Sequence, residues 1–161
     1  MVGRYSMSPA PAFAFDLDGT LADCTHRLHH IIRAPGDDRP KDWRALFAAV
    51  GGDTPIMPMV EIVRALYASG HCIIIVTGRS DECRANTHAW LNKHLNLRGR
   101  LPLYMRRAGD HRNDDIVKPE LFREAERDGY RIVQAFEDRS RVVDALRAAG
   151  YAVAQVAEGR F

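Results

Sequence analysis

The chain has 161 residues, 46% of them hydrophobic, enough for one domain with a substantial buried core. Its net charge of +2 excludes a protein that grips nucleic acid with its whole surface, so an acidic partner must meet a local patch. Cys24, Cys72 and Cys83 form no CxxC pair, which speaks against a disulfide framework or a zinc site and for reduced thiols in a cytoplasmic protein.

Residues 1–11, rich in Ser, Pro and Ala, read as a loose lead-in without the apolar stretch of a signal peptide. "AFAF" (12–15) reads as a buried strand, followed at once by Asp16 and Asp18. Residues 22–57 form a small loop and helix insertion, with one short helix pattern at 41–51. A helix over 58–70 closes at Gly70, and "HCIIIV" (71–76), dense in β-branched residues, is the next strand. Its apolar core, Cys72 to Val76, is the longest such run in the chain and too short to span a bilayer, so no membrane is expected. Ser80 is a good N-cap for a helix over 81–95, with Asp81 and Glu82 in its first turn. Strands at 101–105, 131–136 and 151–156 alternate with helices at 119–129 and 140–150. Strand–helix alternation predicts a single α/β domain over 1–161, with a parallel sheet of about five strands and helices on both faces.

In such sheets ligands bind beyond the carboxyl ends of the strands. Asp16 and Asp18 follow the first strand, Thr77, Gly78 and Arg79 the second, and Glu137, Asp138 and Arg139 a later one, while "DDIVK" (114–118) precedes a helix. Clustered carboxylates are accounted for by a hard, oxygen-seeking cation such as magnesium, and Lys118 and Arg79 suit a phosphate. Pro119 suits the first helical position, which would make Lys118 an N-cap; lysine is a poor cap, and a residue that breaks a local rule invites a functional reading.

In this order the segments resemble the haloacid dehalogenase (HAD) superfamily of phosphohydrolases. "DLDGT" (16–20) is similar to its first motif, Thr77 in "IVTGR" to its second, Lys118 to its third and Glu137-Asp138 to its fourth. The runs "GDHRNDDIVKPELF" (109–122) and "FEDRSRVVDALRAAGYAVAQVAEGRF" (136–161) resemble the 3′-phosphatase domain of bacteriophage-type polynucleotide kinase-phosphatases. That family also has an arginine eleven residues after its first aspartate, where Arg27 stands, and a Ser-Gly-Arg that Thr77-Gly78-Arg79 matches. Glu137 departs from the family's aspartate, and no GxxxxGK[ST] loop occurs, so the kinase half is expected to be absent from this chain.

The resemblance implies a three-layer, Rossmann-like (HAD-like) fold with only a minimal cap. It implies a magnesium-dependent phosphatase that removes 3′-phosphate from DNA or RNA ends, extending to 2′,3′-cyclic phosphate, through an aspartyl-phosphate. Asp16 would be the nucleophile and Asp18 the proton donor and later base; Thr77 and Lys118 would hold the transferring oxygens. Arg27, Gly78 and Arg79 would bind substrate, and magnesium would be held by Asp16, the Asp18 carbonyl, Glu137 and Asp138. Asp16 must then be ionised, and Asp18 must carry a proton. A separate kinase or ligase is expected to work beside it.

Two further features suit a polymer end: the short insertion leaves the site open, and Arg98, Arg100, Arg106, Arg107 and Arg112 face one acid, Asp110. His26, His29 and His30 lie close enough in sequence to touch substrate. A small-molecule phosphatase or 5′-nucleotidase of the same superfamily stays open at this point. So does a non-catalytic binder of nucleic-acid ends, although a pure binder has no need of Asp16 and Asp18 facing a polyanion.

Overall fold

Alternation along "AFAF" sends Ala12 and Ala14 to one side of the chain and Phe13 and Phe15 to the other, and both sides lie in apolar clusters. A strand of that kind needs cover on both faces. The computed structural model describes residues 8–32 and 34–159. In chain order it contains β1 (Ala10–Phe15), β2 (Ala22–Asp23), a 3₁₀ helix (Thr25–His30), α1 (Trp43–Ala48), a 3₁₀ turn (Val50–Gly52) and β3 (Thr54–Pro55). There follow α2 (Met57–Ala68), β4 (Cys72–Ser80), a 3₁₀ turn (Asp81–Cys83), α3 (Arg84–Leu95) and β5 (Leu103–Arg106). The last elements are α4 (Asp114–Arg127), β6 (Tyr130–Glu137), α5 (Ser140–Ala148) and β7 (Val153–Gln155).

The five long-range strands pair in parallel in the order β5-β4-β1-β6-β7, so β1 lies in the middle. Ile74 and Val76 join Ala12 and Ala14 under α4 and α5, where Val117, Leu121, Phe122, Val142 and Leu146 are buried. Ile73 and Ile75 join Phe15 on the opposite face, under α2 and α3, with Val60, Val63, Trp90 and Leu95. This is the three-layer α/β arrangement expected of the sequence. The insertion leaves the body at β2 and returns at β3, which pair antiparallel, so a small ladder closes its base. No helix among the described residues is long and apolar enough to cross a membrane.

Four expectations need correction. Residues 1–7 of the lead-in, and Phe161 of the tail, lie outside the described residues, but Ala10 and Pro11 belong to β1; the Ala10 N–H donates to the Gly129 carbonyl at 2.8 Å. The helix pattern over 41–51 resolves into α1, with Asp42 capping the Ala45 N–H at 2.9 Å, and the separate 3₁₀ turn. β4 runs on through Thr77 to Ser80, bulging at Gly78–Arg79, because Thr77 pairs with Met105 while Ser80 pairs with the very next residue, Arg106. And α4 starts at Asp114, with Asn113 as N-cap, so Pro119 and Lys118 are interior. Asp114 and Asp115 favour that start by matching the helix dipole, and Pro119 forfeits one backbone bond, that to the Asp115 carbonyl. The capping argument for Lys118 therefore does not hold.

Candidate active site

The middle strand ends on Asp16, whose buried carboxylate lies 2.8 Å from the Lys118 ammonium. Lys118 also donates to Glu137 Oε2, at the end of β6. Glu137 Oε1 accepts from the Asp138 and Arg139 N–H groups at 3.2 and 3.1 Å, fixing the turn that carries Asp138. Asp16, Glu137 and Asp138 each offer an oxygen within 4.8 Å of the others. Gly19 makes room for this: its φ is +85°, and a Cβ there would sit 2.2 Å from Asp138 Oδ2.

Three carboxylates against one ammonium leave two negative charges in a buried place. The protein registers the deficit. Burial, then Glu137, push the Asp16 carboxyl up to about 7 despite the opposing pull of Lys118. Burial and Asp16 push Asp138 up to about 6, and burial raises Glu137. Burial would discharge Lys118, but Asp16 and Glu137 hold it cationic. An all-oxygen donor set short of two positive charges fits a hard divalent cation.

Asp18 is balanced differently. Its Oδ1 accepts from Arg27 at 2.5 Å and from Arg79 Nε at 3.0 Å. Behind the two guanidiniums lies a second buried acid, Asp53, which accepts from Arg27 Nε at 2.7 Å and from Arg79 at 2.5 Å. Two carboxylates face two guanidiniums, so this group is neutral without any ion. Burial raises the Asp18 carboxyl, but Arg79 and Arg27 outweigh it and hold it down at about 2. While both arginines lie on it, Asp18 is thus held in its ionised form, and the proton that its expected donor role requires is not held in this arrangement. It can hold one only after the arginines have turned to another partner. Arg79 keeps one buried nitrogen, Nη1, without a hydrogen-bond partner among the described residues, a donor left for a ligand oxygen.

Asp53 belongs to this group although no sequence motif includes it. It lies in the insertion, just ahead of β3, and its carbonyl accepts from Trp90 Nε1 at 2.7 Å. His26, packed on Gly52, pairs with the same carboxylate at 2.9 Å. His29 is turned to the His26 carbonyl, 2.9 Å away. No local pattern marks Asp53; only its contact with two arginines, one in the 3₁₀ helix and one in β4, does. Asp114 is a further acid close by: it pairs with Arg106 and Arg139, and a Cβ on Gly78 would sit 2.5 Å from its Oδ1.

The remaining positions fall where strand ends meet. Thr77 is buried in β4, and its hydroxyl accepts from the Arg79 N–H at 3.3 Å. The structure brings Asp16, Lys118, Glu137 and Asp138 into one group and Asp18, Arg27 and Arg79 into an adjoining one. It breaks up the basic strip. Arg106 turns inward to the Gly78 carbonyl (2.9 Å) and Asp114, and Arg112 is neutralised by Asp110 (2.7 Å) and Glu120 (2.8 Å).

Residues 10–161 match the family described as the polynucleotide kinase PNKP phosphatase domain. A putative bifunctional polynucleotide kinase/RNA ligase of Autographa californica nuclear polyhedrosis virus is 32% identical over 130 residues, which is 80% of this chain and 16% of the viral protein. A chain in the structure of a Pnkp1/Rnl/Hen1 complex superposes with a TM-score of 0.75 at 28% identity, covering 96% of this chain and 47% of that one. A HAD-superfamily hydrolase from Ehrlichia chaffeensis shares the fold, with a TM-score of 0.56 at 14% identity over 93% of this chain and 89% of its own. The present chain thus spans about half of the Pnkp1 complex chain and a sixth of the viral protein.

Proposed function

The chain belongs to the polynucleotide kinase phosphatase-domain family, of HAD type, and on that premise we propose that it is a magnesium-dependent phosphatase that removes 3′-phosphate from nucleic-acid ends. The observation that carries this reading is the charge deficit beside Asp16: a buried nucleophile-type carboxylate, a buried lysine and two further acids that are incomplete without a divalent cation. Magnesium held by Asp16, Asp138 and the Asp18 carbonyl, with Glu137 in its wall, would supply Lewis-acid charge for the phosphoryl oxygens and keep Asp16 ionised at neutral pH.

Asp16 attacks phosphorus: a bond forms from its carboxylate oxygen as the bond to the sugar O3′ breaks, leaving an aspartyl-phosphate. Lys118 and the Thr77 hydroxyl hold oxygens of the transferring group, and the spare Arg79 nitrogen donates to another. A phosphate drawing Arg27 and Arg79 toward itself would release Asp18 to carry the proton that the sugar oxygen needs. In the second step Asp18, again ionised, takes a proton from the water that cleaves the acyl-phosphate. The names of the relatives, a polynucleotide kinase/RNA ligase and an Rnl/Hen1 complex, support action beside a separate kinase or ligase, with RNA ends as the first polymer to test.

The test is a panel of 3′-phosphorylated, 5′-phosphorylated and 2′,3′-cyclic-phosphate oligonucleotides beside nucleoside monophosphates. Phosphate release from 3′ ends that requires magnesium and falls at least a thousandfold in Asp16→Asn is expected, on the order of what loss of a covalent nucleophile costs. Efficient turnover of mononucleotides alone would replace this reading with that of a small-molecule phosphatase.

A further inference from the structure

Among the large apolar side chains left exposed, Trp43 is 43% accessible, on the first turn of α1 in the insertion. The other tryptophan, Trp90, is buried. An exposed indole is not held there by the core beneath it. What it does have is an aromatic ring stacked against it and a lysine ammonium over it. Phe47, one turn on, stacks against it with centroids 6.2 Å apart and planes 29° apart. Phe47 itself packs on the cluster of Val50, Cys83 and Met105, next to the ends of β4 and β5. Lys41 Nζ stands 5.7 Å from the ring centroid, and Arg44 is exposed on the next position. Asp42, the one acid between them, is engaged by the Ala45 N–H at 2.9 Å.

We propose that Trp43 is a stacking platform for a nucleobase of a single-stranded nucleic-acid end, a few nucleotides from the phosphate in the site. The inference rests on the function proposed above and deepens it. Position supports it. The Asp42 N–H donates to the His30 carbonyl at 2.9 Å, and His30 ends the 3₁₀ helix that carries Arg27. Three residues at about 2 Å each, the hydrogen-bonded pair at about 5.5 Å and one Cα step of about 3.8 Å put Trp43 at most about 15 Å from the Arg27 backbone. That spans no more than about four nucleotides of a stacked strand at roughly 3.4 Å each, so the third base from the end is within reach. Chemistry supports it too: every base has a π-face, so stacking on an indole is tolerant of sequence. A base arriving on the ring would let Lys41 exchange the ring for the adjacent phosphate. A second copy of this chain fits less well, because a two-fold contact through Trp43 would set Lys41 and Arg44 against themselves.

The experiment compares wild type, Trp43→Ala and Trp43→Phe on 3′-phosphorylated oligonucleotides of one to eight nucleotides, with and without an abasic site three positions from the end. For wild type, KM should fall as length passes about three nucleotides. Trp43→Ala should raise KM on the long substrates about 5- to 100-fold more than on a nucleoside 3′-monophosphate, with Trp43→Phe in between, the range expected of one lost base–aromatic stack. The abasic site should cost wild type a similar factor and Trp43→Ala little more. A loss equal on all lengths, or a Trp43-dependent dimer in sedimentation, overturns the inference while the proposed function stands. If wild type hydrolyses no 3′-phosphorylated oligonucleotide, the proposed function fails and this inference with it.

Discussion

Two aspartates of the opening motif, separated only by Leu17, meet opposite electrostatic conditions. Asp16 sits with too few cations and is pushed up to about 7; Asp18 sits between two arginines and is held at about 2. The first condition has a consequence for stability. Between pH 4 and 7 the folded, metal-free chain keeps protons on Asp16 and Asp138 that the unfolded chain has already lost, since their ordinary value is 3.8. The stabilisation from those raised groups is complete below about pH 4 and is lost as pH rises through about 6 to 7. Asp18 acts in the opposite sense, but between about 2 and its ordinary 3.8, below that window. The melting temperature of metal-free protein should therefore fall from pH 5 to pH 7.5, and magnesium should raise it more at pH 7.5 than at pH 5. Thermal melts with EDTA or magnesium at the two pH values check this; an equal shift at both would count against a metal among these carboxylates.

At the scale of elements, the insertion is tied to the body through Asp53, which joins the 3₁₀ helix by Arg27, β4 by Arg79 and α3 by Trp90. Asp53→Asn leaves two buried guanidiniums facing the single charge of Asp18. Breaking such a buried pair costs about 3–5 kcal/mol, which for a chain of this size lowers the melting temperature by roughly 6–20 °C. The oligonucleotide KM should rise with it, because Arg27 and Arg79 lose the partner that aims them; calorimetry and steady-state kinetics report both. His26→Ala, at a half-exposed partner of the same carboxylate, should cost less than about 1 kcal/mol. The strands were legible because "AFAF" and "CIIIV" are buried on both faces and so read as unbroken apolar runs. The residues at their ends were legible as neighbours because sheet topology collects them. Asp53 was not, since its meaning lies in contacts 26 residues away on either side. The start of α4 was not, because Pro119 looks like a first-turn residue when read locally, whereas Asn113 and the two aspartates after it set the start.

Taken whole, the molecule is less basic toward a substrate than its arginine-rich 98–112 segment suggests, since Arg106 and Arg112 are spent on internal acids. Only a few cations then meet the strand, and the salt dependence should be shallow: log KM against log salt with a slope no steeper than about 3, against about 6–10 for proteins that neutralise many phosphates. Initial rates on one oligonucleotide between 50 and 300 mM salt, on the order of the usual working range, decide it. The first strand and the last described residue lie at opposite ends of the sheet, which has a practical side. The first strand starts at Ala10, whose N–H meets the Gly129 carbonyl at the amino end of the sheet. The described residues end at Gly159, whose N–H meets the Asp138 carbonyl at 3.0 Å and where a Cβ would press on Asp138 and Arg139. The two points lie roughly a strand length apart, about 20 Å. A purification handle or a surface linker belongs ahead of Ala10; placed directly after Gly159 it would begin beside Asp138 and crowd the acidic cluster.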